Sequence, residues 1–96
     1  MTKKELSDKI YDIIDKSSQH RSGYISFHSL GLKEEDCPLI CKYGKIELRV
    51  TDVKCFWVVV SVYRKGCFEG CDYVRDIDLP QNVLEEVYNI VKKNIK

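Results

Sequence analysis

The sequence predicts an α+β fold in which an antiparallel three- to four-stranded sheet is flanked by an N-terminal and a C-terminal helix packed on one face. Three observations carry this expectation. Apolar residues recur at helical spacing near both ends, at Leu6, Ile10, Ile13 and Ile14 and again at Val83, Leu84, Val87, Tyr88, Val91 and Ile95. Between them, apolar and polar residues alternate with the period of a strand. One stretch, 55–63, is apolar on both of its faces, which marks a central strand covered on two sides.

The elements follow in order. Thr2 and Glu5 have the spacing of a capping box, so a helix begins there and runs to about Lys16, with Lys9, Asp12, Asp15 and Lys16 on its wet side. The polar stretch 17–23 ends in Gly23 and turns the chain into a strand over 24–28, with Ile25 and Phe27 inward. Residues 29–44 read as an ordered loop, because Gly31, the acidic run 34–36, Pro38 and Gly44 interrupt any regular pattern. From Lys45 onward Ile46, Leu48 and Val50 alternate with Glu47, Arg49 and Thr51 as a half-buried strand, and 51–54 reads as a tight connection.

The central strand 55–63 places Phe56, Val58, Val60 and Val62 on one face and Cys55, Trp57, Val59 and Tyr63 on the other. Gly66 and Gly70 bracket a loop, after which 72–79 returns as a strand suited to an edge, with Asp72, Asp76 and Asp78 toward water. Pro80 fits the first turn of a helix, and Asn82 with Glu85 offers a second cap. Glu85 and Glu86 lie early in that helix and Lys92, Lys93 and Lys96 late, matching its dipole to the C-terminus. All 96 residues form one domain.

Composition removes several classes of function. Hydrophobic residues are 44% of the chain and Gly plus Pro only seven, so collagen-like and disordered chains are excluded. Lys and Arg number eight against eight acids in 1–48 and eight against seven in 49–96, so neither half is a charged tail. The start of the chain is amphipathic rather than signal-like, and the longest apolar run is 55–60, so a chain that neither spans a membrane nor is exported is expected. The five cysteines are odd in number, and they are read as reduced thiols of a cytoplasmic protein.

Four of those cysteines form the most suggestive spacing, Cys37-x3-Cys41 and Cys67-x3-Cys71. Such pairs can reach one tetrahedral zinc from a single turn, and adjacent antiparallel strands would bring both loops to one end of the sheet. The usual knuckle has two intervening residues and a following Gly, whereas three intervene here, followed by Lys42 and Asp72. The expectation is therefore no metal and no other cofactor, with the thiols acting as small apolar residues and a zinc-stabilised module as the alternative.

Enzymatic chemistry finds no constellation. His20 and His28 have no nucleophile placed beside them by the sequence, and Cys71 to Arg75 is too short a run to wrap a phosphate. Gly-rich nucleotide loops, Asp-rich cation loops and Ser elbows are missing from the sequence.

Lys42, Tyr43, Lys45, Tyr63, Arg64 and Lys65 belong to one end of the sheet and compose a basic, aromatic patch for single-stranded nucleic acid. Neighbouring acids and a net charge of +1 weaken that reading and set nucleic acid behind protein as a partner. The reading that remains is a small non-enzymatic protein-binding module: a regulator, inhibitor or small subunit. It is expected to form a homodimer through the sheet face bearing Trp57, Val59 and Tyr63, which two helices on the opposite face leave uncovered.

Overall fold

The elements run α1 (Lys3–Lys16), β1 (Tyr24–Ser26), β2 (Leu39–Tyr43), β3 (Ile46–Lys54), β4 (Trp57–Arg64), β5 (Cys67–Arg75) and α2 (Gln81–Asn94), with short 3-10 turns at His28–Leu30, Glu34–Asp36 and Asp76–Asp78. They come from a computed structural model describing residues 1–16, 24–54 and 56–95; the expectations for 17–23, His20 among them, for Cys55 and for Lys96 lie outside those residues.

Helix α1 starts as its residues dictate. The Glu5 N–H donates to Thr2 Oγ1 at 3.2 Å and the Thr2 N–H to Glu5 Oε1 at 3.3 Å, the reciprocal pair of a capping box. Helix α2 begins after Pro80 without using Asn82 as a cap. Instead the Gln81 amide donates to the Met1 carbonyl at 2.7 Å and to Glu85 Oε1 at 3.2 Å, joining the starts of the two helices.

Every strand pair is antiparallel, in the order β1-β3-β4-β5, with β2 also on β3. Strand β1 pairs the last residues of β3 (Ile25 opposite Val53) and β2 pairs the first (Tyr43 opposite Ile46), so the two short strands share one edge while β5 forms the other. Val50, Val53, Val58 and Val60 meet Leu6, Ile10, Ile14, Val83, Leu84, Val87 and Val91 in one buried cluster with Ile25 and Phe27. Both helices therefore cover the same face, as the α+β expectation requires, over a sheet of five strands rather than three to four.

The departures have local causes. Strand β2 lies inside the stretch read as a loop, because five residues between Pro38 and Gly44 are too few to establish an alternation; the Val50 N–H reaches the Pro38 carbonyl at 2.9 Å and extends the pairing. Strand β3 runs on to Lys54 because a bulge between Val50 and Asp52 inserts one residue and breaks the period of two. The tight connection thus moves beyond Lys54, where Phe56 takes φ 65° and stacks its ring on Tyr11 at 4.7 Å. Lys65 and Gly66 both have positive φ and form a two-residue hairpin turn, so β5 starts at Cys67 and Gly70 lies within it. Asp76, expected on the water side of a strand, has left the sheet and is buried, where it accepts a hydrogen bond from Ser7 Oγ at 2.5 Å.

Candidate functional site

Cross-strand partners point to the same side, so the register sorts the uncovered face into rows. One row runs Tyr24, Lys54, Trp57, Arg75; the next runs Ser26, Asp52, Val59, Tyr73; beyond them come Ser61 with Cys71 and then Glu47, Tyr63 and Phe68. Of these, all but Lys54, Trp57, Arg75 and Glu47 line an open trough of about 550 Å³, whose lining also takes in His28, Thr51, Glu34 and Gly66.

The floor of the trough is polar and internally bonded. Thr51, turned by the bulge, faces Ser61 with 2.7 Å between hydroxyl oxygens, and both residues are buried. Asp52 lies beside them, and desolvation there raises its carboxyl above the usual range. The Tyr63 hydroxyl is raised too, first by burial and then by the neighbouring Cys37 and Glu34. Arg49 secures the near wall: its guanidinium donates to the Cys37 carbonyl at 2.8 Å and to the Glu35 carbonyl at 3.3 Å, and it pairs with Glu47 at 2.8 Å. That fork fastens the Glu34–Asp36 turn to the sheet.

The expected contact residues share this face and differ in access. Trp57 is 42% exposed, whereas Val59 at 8% and Tyr63 at 6% are covered by their own chain, Tyr63 in part by the edge of Phe68 at 6.0 Å. The accessible aromatic surface comes instead from Tyr24, Phe68 and Tyr73, which the sequence reading did not single out. Phe68 falls where the sequence pattern predicts a loop, and Tyr73 alternates with the acids expected toward water, whereas its register with Val59 sets it on the open face.

Strand order separates the four paired thiols. Strands β2 and β5 stand three spacings apart across β3 and β4, roughly 14 Å, so Cys41 and Cys67 cannot bind one ion together. Cys71 lies on the open face opposite Ser61. Cys37 is buried, its thiol pushed up to about 11 by desolvation, which keeps it protonated and unsuited to ligation or attack at neutral pH. Among the described residues no group of three or more His, Cys, Asp or Glu is arranged to hold a metal.

Four of the six residues of the basic patch share one groove, and Lys42 and Tyr63 lie outside it. Tyr43, Lys45, Arg64 and Lys65 line one groove at the hairpin end with Ile46, Cys67 and Glu69, and the Lys65 N–H donates to the Lys45 carbonyl at 3.1 Å. Lys42 lies opposite Glu47, and Arg64 is paired with Glu69 at 3.0 Å, so part of the patch's charge is neutralised within it. Among the described residues no helix is long and apolar enough to cross a membrane. Comparison of the chain with family models, with curated proteins and with solved structures finds no match.

Proposed function

We propose that the chain is a small non-enzymatic protein-binding module that associates with a second copy of itself through the open face of its sheet. The observation that carries this reading is the grouping of exposed aromatics: four of the six among the described residues, Tyr24, Trp57, Phe68 and Tyr73, stand on the face opposite the helices, while Tyr43 lies at the hairpin end and Phe56 against Tyr11 of α1. Aromatic rings are the side chains that contribute most to protein interfaces at low entropic cost, and a contiguous exposed group of them marks a contact surface. Enclosure is also right for a flat partner, since the trough is open along its length. A second reading, single-stranded nucleic acid across the hairpin-end groove, is favoured by the grouping of Tyr43 with Lys45 and Lys65.

Sedimentation at tens of micromolar tests the first reading: a mass of twice 11.2 kDa is expected, falling to 11.2 kDa in Trp57→Asp with the fold retained. A wild-type monomer overturns it. Titration with a labelled oligothymidylate tests the second, with binding abolished in Lys45→Glu/Lys65→Glu expected if the groove is used.

A further inference from the structure

Toward the hairpin end of the open face Glu47 is satisfied within the chain by Arg49 at 2.8 Å. Five ionic groups on this face have no ion pair among the described residues: Lys42, opposite Glu47 at the hairpin end, and four that are sorted by sign. Lys54 and Arg75 flank Trp57 in one row, with the Arg75 guanidinium 5.7 Å from the indole centre. Asp52 and Glu34 line the trough, which includes four aromatic rings and no Lys or Arg. A cation seated there would meet two carboxylates and the faces of tyrosine and phenylalanine rings, the combination that binds ammonium and guanidinium groups in preference to anions.

We infer that the trough is a cation-accepting seat and that its occupants are Lys54 and Arg75 of a second copy of this chain. The inference rests on the self-association proposed above and names what holds it together. A two-fold axis lying between two open faces and running across the strands turns one copy end for end. With that axis between the Trp57 row and the Val59 row, Lys54 of each copy lies over Asp52 of the other and Arg75 over Tyr73, and the contact is made twice by symmetry. The arrangement also gives Asp52, whose carboxyl desolvation already disfavours as a charge, a positive partner in place of lost water.

A charge swap tests the seat. One variant reverses the cations (Lys54→Glu with Arg75→Glu) and the other reverses the seat (Glu34→Lys with Asp52→Lys). Each alone puts like charge against like, so self-association measured by sedimentation at 100 mM salt is expected to weaken at least ~10-fold. Mixed in equal amounts, every contact becomes attractive again, and a one-to-one heterodimer is expected by native mass spectrometry.

Wild-type dimers whose variants associate as tightly as wild type, or whose weakened variants fail to recover on mixing, overturn the seat and leave self-association standing. A wild-type monomer at 100 µM overturns both. Circular dichroism checks the fold of each variant. If Asp52→Lys prevents folding, the two single variants Glu34→Lys and Arg75→Glu, measured alone and mixed, repeat the swap and read the same outcomes.

Discussion

Strand β4 divides the molecule into two chemistries within eight residues. Toward the helices Val58 and Val60 pack against α1 and α2 side chains in the core, while toward the open side Trp57, Val59, Ser61 and Tyr63 sit among hydroxyls, a carboxylate and exposed rings. Branched aliphatic residues fill volume and leave nothing to recognise; aromatic and polar residues half in water contribute less to folding and more to contact. The two faces therefore differ in what a mutation on each should cost.

The largest expected effect belongs to the covered face. Leu84 is fully buried between helix and sheet, so Leu84→Ala should cost ~3–4 kcal/mol of unfolding free energy. Tyr73, on the open face and 60% exposed, should lose under about 0.5 kcal/mol on truncation to Ala. Urea denaturation of the two variants measures the contrast directly. Comparable losses would mean that the open face is part of the core and not a surface.

Next comes the contact that fastens α1 to the chain beyond β5. Asp76 is buried and its carboxylate accepts from Ser7 Oγ. Ser7→Ala removes the donor and leaves the acceptor away from water, at an expected ~1–3 kcal/mol. Combining it with Asp76→Ala should cost less than the sum of the single losses, since the two groups then disappear together. Strict additivity in the double-mutant cycle would show that the bond contributes nothing.

Much of the covered face could be read from the sequence, because its signal is repetition: Leu6, Ile10 and Ile14 on one helix, and Val83, Leu84, Val87 and Val91 on the other, repeat a single physical demand. The open face was legible only in outline. The alternation of β4 placed Trp57 correctly, but access to Val59 and Tyr63 depends on neighbouring strands, and no period in one strand reports what stands beside it. The bulge at Thr51 and the positive φ of Phe56 moved a turn by several residues, since neither residue type announces such a backbone. Asp76 was misplaced for a related reason: a carboxylate reads as exposed until a donor 69 positions away is known.

A smaller effect is expected on the floor of the trough. Thr51 and Ser61 satisfy one another's hydroxyls at 2.7 Å, so Thr51→Val alone leaves Ser61 without that partner and should cost ~1 kcal/mol, whereas Thr51→Val with Ser61→Ala should approach neutrality. Thermal melts of the three variants decide it. A double variant less stable than either single would mean that the hydroxyls hold the bulge in place rather than each other.

The smallest effect is an alkaline one, and its sign follows from the buried thiol. Cys37 titrates at an ordinary 9.0 when the chain is unfolded and is pushed up to about 11 in the fold by desolvation, against the opposing pull of Arg49. Above pH 9 the unfolded chain therefore releases a proton that the folded chain keeps, which favours unfolding. The contribution of this residue to stability should be constant below pH 9, decline between pH 9 and about 11, and level off beyond. Allowing for solvent screening of a thiol near the sheet edge, the decline amounts to about 1 kcal/mol. Other groups titrate in the same interval, Tyr63 among them, so the informative quantity is the difference in urea midpoint between wild type and Cys37→Ala at each pH. That difference should narrow as pH rises from 8.5 to 11. A constant difference would mean that the thiol ionises in the fold as it does in the open chain, and that the edge between β1 and β2 admits water to the core.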